Sequence, residues 1–128
     1  MSQAIAVCHG EFGRAALYRL NKTIITHAHR EGHLIFYVDG ASAKVPNGDN
    51  ICTVDAKTAA AVSPWEPHGF EVDDDDTQIC LVLYIKPMWF LENSVSAEYA
   101  LKFGRTVVEI TDETVSYTHL TLPTILLV

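Results

Sequence analysis

The sequence predicts an all-β domain, a sandwich or barrel, followed by one amphipathic helix. Two observations carry this reading. Between residues 13 and 85 the apolar residues fall in short runs (AALYRL, TIITHAH, HLIFYV, ICTVDA, TAAAVS and QICLVLYI), separated by turn residues with no helical pattern between them. After Lys86 the character changes. Pro87 suits a first helical turn, and MWFLENSVSAEYALK places Leu91, Val95 and Tyr99 at i, i+4 and i+8. The apolar stripe of that helix can pack on the barrel or on a second subunit.

The connections support the same architecture. Asp39-Gly40 and Pro46-Asn47-Gly48-Asp49 are tight-turn sequences, because Gly and Asn tolerate positive φ, and they predict hairpins. Residues 79–85 are continuously apolar, which fits a strand buried on both faces. The four aspartates at 73–76 lack the ligand alternation and distant Glu of an EF-hand, so a solvated turn is expected there.

Composition limits the function. With 128 residues, 48% of them hydrophobic, the chain is the size of one domain and needs neither disulfides nor a structural metal to bury a core. Nine basic residues against 16 acidic ones give a net charge of −7, and the basic residues are scattered. That excludes a nucleic-acid-binding surface in this segment. Cys8, Cys52 and Cys80 are odd in number and have no C-x-x-C spacing, which points to a reducing compartment. The N-terminus lacks a basic, then apolar, secretory pattern, and no run approaches eighteen apolar residues. The expectation is a soluble, cytoplasmic chain without membrane contact.

The end of the sequence reads differently. Residues 115–128, VSYTHLTLPTILLV, carry no charge, and the helix-start signal at Thr111, Asp112 and Glu113 is followed by poor helix formers. VSYTHLTLPT resembles the translation of a transposon-end adapter used in shotgun sequencing; the alternative is a genuine edge strand. The expected organisation is therefore a barrel over 1–86, an incomplete helical dimerisation or linker segment over 87–114, and an adapter-derived artefact over 115–128. Residues 115–128 are therefore expected to supply no site residue, and the native chain is expected to continue past Thr114.

Histidines supply the chemistry. Four of the six fall in two clusters, His27-Ala28-His29-Arg30-Glu31-Gly32-His33 and Trp65-Glu66-Pro67-His68. Residues two apart on a strand share a face, so His27 and His29 project together, Gly32 permits a turn, and His33 opens the next strand. Four converging imidazoles would hold one divalent transition metal, with zinc, iron, nickel and copper all compatible. A polar ligand pocket without metal is the other reading of the same residues. His9 lies outside this register and is expected at the surface.

This spacing resembles the two motifs of the cupin family, and so implies a double-stranded β-helix, or jelly-roll barrel. His27 and His29 match the H-x-H of the first motif, His33 stands in its Glu position, and Gly40 follows at the motif's glycine. Ser63-Pro64-Trp65-Glu66-Pro67-His68 is similar to the second motif, Pro-x-Gly-x-x-His, with Ser63 in place of proline and Trp65 in place of glycine. The longer stretches HAHREGHLIFYVDGA, AVSPWEPHGFE and ICLVLYIKPMWF resemble the N-terminal sensor domain of AraC-type transcriptional regulators.

That second resemblance implies a barrel that binds a small-molecule effector, a homodimer formed through the following helix, and DNA contact made by a further C-terminal domain. The candidate effector pocket is Tyr37 and Trp65, as aromatic walls, together with His27, His29, His33 and His68. The expectation is a sensor and not an enzyme, since four histidine ligands leave no open position at a four-coordinate metal and no additional acid or base stands out. The alternative is a stand-alone metal-dependent cupin enzyme of the oxygenase or isomerase type.

Overall fold

Gly13 decides the first hairpin. Its φ of 144° is closed to other residues, and a Cβ there would collide with the carbonyl of Tyr84. The chain therefore reverses tightly between β1 (Gln3–Gly10) and β2 (Gly13–Leu20), and β2 lies directly against β9 (Gln78–Ile85). The computed structural model describes residues 3–93 and 107–109. Its remaining elements are β3 (Ile24–His27), β4 (Gly32–Gly40), β5 (Ala43–Asn47), β6 (Asn50–Val54), β7 (Thr58–Val62), β8 (His68–Phe70), α1 (Pro87–Asn93) and β10 (Val107–Glu109).

The strands form two layers. One is a six-stranded antiparallel sheet in the order β1-β2-β9-β4-β7-β10. The other is built from the pair β3-β8 and the hairpin β5-β6, which the reciprocal backbone bonds between Lys44 and Glu71, 2.7 and 2.9 Å, tie together. The predicted jelly-roll is what the chain adopts.

Alternation along the strands builds the core. Cys80 and Val82 on β9, Ile35 on β4 and Leu20 on β2 face Val45, Cys52, Val54 and Phe70 of the opposite layer. Residues 80–82 are all buried, so the central strand β9 is covered on both faces there, as its apolar run predicts. Asn47-Gly48-Asp49-Asn50 closes the β5-β6 hairpin, with Gly48 at φ 60° as the first of two loop residues. The aspartates at 73–76 form an exposed turn closed by the Asp76 N–H donating to the Asp73 carbonyl.

Three results differ from the sequence expectation or extend it. β1 and β5 are strands that the turn-bounded runs did not include, and β8 is a three-residue strand defined by its pairing with β3. Residues 107–109, expected in a helical segment, are strand β10. The β-branched pair Val107-Val108 adds to the edge of β7 opposite β4. Finally, α1 begins at Pro87 as expected, and Val95, Tyr99 and residues 115–128 lie outside the described residues.

Candidate metal centre

Both layers contribute to the site. His27 ends β3 and lies opposite His68, the first residue of β8, in the smaller layer. His33, on β4, pairs with Tyr84 of β9 and Val62 of β7 in the larger sheet. His29 sits in the loop joining β3 to β4, where its carbonyl accepts the Trp65 N–H at 2.7 Å. That bond ties the turn before His68 to the loop carrying the other imidazoles.

The four rings form one cluster. Centroid separations are 4.5 Å for His27 and His29, His27 and His68, and His33 and His68, and 5.5 Å for His29 with His33 and with His68. His27, His29 and His68 each offer a ring nitrogen, and these three atoms lie within 4.8 Å of one another. His33 Nε2 stands 3.1 Å from His68 Nε2. Two nitrogens bound to one metal at about 2.0 Å each are about 3 Å apart, so this spacing suits neighbouring ligands.

Hydrogen bonding fixes the tautomers. A carbonyl can only accept, so His27 Nδ1–H donates to the Ile25 carbonyl at 2.7 Å and His68 Nδ1–H to the Glu66 carbonyl at 2.8 Å. In the neutral rings Nε2 then carries a lone pair. This outer arrangement is the one that orients metal-binding imidazoles. The His33–His68 contact requires His33 Nε2–H to donate, which leaves His33 Nδ1 buried without a partner. His33 can act as a ligand through Nε2 only by moving its proton to Nδ1.

Burial favours the uncharged form of three of the four rings. It holds His33 down at about 3, with the adjacent His68 as the next cause, and it also lowers His68 and His29. Neutral imidazole is the form that binds a metal. The donor set and its protonation fit a divalent transition metal, with His27, His29 and His68 as a set and His33 beside them.

The histidines cap one end of a cavity of about 210 Å³ lined otherwise by Tyr18, Leu20, Ile24, Ile35, Phe70, Cys80, Val82 and Tyr84. This is smaller than a drug-sized pocket and largely apolar, with polar groups at the histidine end. Burial pushes the Cys80 thiol up to about 12 and raises the Tyr84 phenol, so both remain protonated; the Tyr84 hydroxyl donates to the Tyr18 oxygen at 3.2 Å.

Tyr37 and Trp65 are placed elsewhere. Tyr37 packs against the core and its hydroxyl donates to the Gly40 carbonyl at 2.7 Å, farther along β4 than the cavity. Trp65 is 65% exposed in a turn at φ 61°. It occupies the glycine position of the motif it resembles. Tyr84, Tyr18 and Arg14, whose guanidinium lies 4.0 Å from the centre of the Tyr84 ring, belong to the site region without having been anticipated. The alternation of Cys80, Val82 and Tyr84 along β9 was the available signal for the tyrosine.

No family model matches the sequence, and no curated protein is significantly similar to it. Solved structures are similar in fold. A cupin-2 domain protein from Shewanella frigidimarina NCIMB 400 matches with a TM-score of 0.51 and 13% identity over 66% of this chain and 79% of its own. AerE from Microcystis aeruginosa matches with a TM-score of 0.60 and 17% identity, over 77% of this chain but 43% of AerE. The DMSP lyase DddQ from Ruegeria pomeroyi DSS-3 matches with a TM-score of 0.52 and 18% identity, over 64% of this chain and 47% of DddQ.

This corrects the expectation that the chain is not an enzyme. A lyase is built on the same fold, so the barrel and its four imidazoles give no ground for excluding catalysis. Fold and site together make the chain a cupin-like jelly-roll with a candidate metal centre.

Proposed function

We propose that this chain is a metal-dependent, small-molecule-binding cupin module. The observation that carries the reading is the four-imidazole cluster at the end of a small apolar cavity, with the Nδ1–H groups of His27 and His68 tied to carbonyls and their Nε2 atoms left to bind. His27, His29 and His68 would hold one divalent ion, with His33 as neighbour or fourth ligand. A bound ion supplies Lewis acidity toward a ligand oxygen. The chain's own residues do the remainder: the apolar walls exclude water, Tyr84 and Tyr18 present neutral hydroxyls, and the Ile25 and Glu66 carbonyls aim the imidazoles.

The sequence resemblance extends the reading to regulation. The segments AVSPWEPHGFE and ICLVLYIKPMWF support an effector-binding domain of an AraC-type regulator, dimerising beyond Lys86 and contacting DNA through another domain. Binding regulates when the effector favours one arrangement over another. The three buried thiols suit a reducing, cytoplasmic setting. A second reading is turnover by an isomerase or oxygenase type of cupin, favoured by the accessible metal-ready cavity.

Metal analysis of the purified chain tests the shared core of both readings. About one equivalent of a divalent transition metal is expected, and His68→Ala should lower affinity by about a hundredfold or more, at the upper end of losses caused by disturbing a metal site. Stoichiometric metal in neither protein defeats the proposal. Recovering a bound ligand unchanged supports sensing, and recovering a product supports catalysis.

A further inference from the structure

A second cleft adjoins the histidine cavity. Its volume is about 170 Å³, and its walls include Arg14, Arg30, Glu31, Tyr84 and Lys86. Three of the chain's nine basic residues thus meet in one place on a protein of net charge −7. The opposing charge is Glu31, 3.3 Å from Arg14 Nη1. Among the described residues, Arg30 and Lys86 are exposed and form no ion pair.

Tyr84 is a wall of both spaces. On one side the Arg14 guanidinium carbon is 4.0 Å from its ring centre; the His33 and His29 rings are 5.3 and 6.2 Å from the same ring. Stacking on Tyr84 and contact with Glu31 position the guanidinium before any ligand arrives, which reduces the ordering cost of binding. A guanidinium fork bonds a carboxylate or a phosphorus oxyanion through two parallel N–H donors. Two further cations in a cleft focus the field on an approaching anion, even when the protein as a whole repels it. A pocket for neutral ligands gains nothing from this arrangement.

We infer that the cleft is an anion subsite of the cavity. The ligand is a small organic oxyanion, its anionic head held by Arg14 with Arg30 and Lys86 in support, and its body reaching past Tyr84 toward the histidines. This assignment rests on the reading of the histidine cavity as a small-molecule site.

Calorimetric titration of zinc-loaded and metal-free protein with succinate, glutarate and 3-phosphonopropionate, each compared with neutral succinamide, tests it. At least one acid should bind tenfold or more tightly than succinamide, and the best acid identifies carboxylate or phosphonate as the preferred head. Arg14→Gln should reduce that preference about tenfold to a hundredfold, the loss of a charge-assisted pair. Lys86→Gln, at an exposed position where folding is not at stake, should reduce it about two- to fivefold, less so at high salt. No preference for any acid, or a preference untouched by both substitutions, overturns the subsite. Acids that bind equally well to Arg14→Gln, and only with zinc present, also overturn it, because the metal alone then holds them. A preference that depends on Arg14 in a chain that takes up no zinc supports the subsite and defeats the metal centre instead.

Discussion

The two ends of the barrel interior use buried polar groups in opposite ways. At one end Gln78, with no exposed surface, donates from Nε2 to the carbonyls of Ala41 and Val54 at 3.0 and 2.9 Å, among Val45, Cys52 and Val54. Its hydrogen bonds run to backbone and join the large sheet to the β5-β6 side. At the other end the imidazoles of His33 and His68 turn their Nε2 atoms toward each other, and His27 and His29 close around them. A polar side chain committed to backbone serves folding; a cluster whose ring nitrogens converge is available to a ligand. The same alternation places Cys80, Val82 and Tyr84 on one inward face, so the sheet geometry does not separate the two roles.

Acid should distinguish the ends most strongly. His33 has its folded pKa depressed to about 3, and His29 and His68 are shifted the same way. Above about pH 6.5 these rings are neutral in both folded and unfolded chains and contribute no pH dependence. Below it the unfolded chain takes up protons that the folded chain refuses, so folding stability falls as pH drops. For His33 the slope is about 1.4 kcal/mol per pH unit down to about pH 3. Urea unfolding of metal-free protein between pH 7 and 4.5 measures it, and His33→Gln should flatten the dependence. A slope unchanged by that substitution would place the acid sensitivity outside the cluster.

The closed end answers to a different substitution. Gln78→Leu preserves volume but strips two buried carbonyls of their donor, at an expected cost of about 2 kcal/mol. Its own Oε1 is already buried without a partner, which offsets part of the loss. Metal content should stay at the wild-type level. If Gln78→Leu lowered metal content without lowering stability, the division between the two ends would be lost.

How far the sequence discloses each end follows from the range of the interactions. Strands with alternating patterns between clear turns, such as residues 78–85, are legible because the signal is local. β8 is not, since His68-Gly69-Phe70 follows a proline-rich turn and is a strand only through β3, some forty residues earlier in the chain. The four histidines are legible as a group because each cluster is compact in sequence. Arg14 and Tyr84 are not, as their stacking is created by the β2-β9 pairing across the sheet. Tyr37 has the inward parity expected of it, yet lies four residues beyond His33, a distance of roughly 13 Å along the strand. Parity gives the face and leaves the depth open.

The smallest expected effect lies in the turn that delivers His68. Ser63 N–H donates to Glu66 Oε2 at 2.8 Å and Glu66 N–H to the Ser63 carbonyl at 3.1 Å, which forces Trp65 to φ 61°. A side chain with a Cβ costs about 1–2 kcal/mol in that region, and glycine does not. Glycine in turn loses more entropy on folding, roughly 0.5–1 kcal/mol, and the indole is too exposed to contribute much packing. Trp65→Gly should therefore stabilise the fold by about 0.5 kcal/mol, read as a raised urea midpoint at constant slope. The Trp65 N–H to His29 carbonyl bond is backbone and survives, so metal content should not change. If Trp65→Gly instead destabilised the protein by more than about 1 kcal/mol, the indole would be holding the loop beside His29, and the histidine end would depend on packing that the closed end does not need.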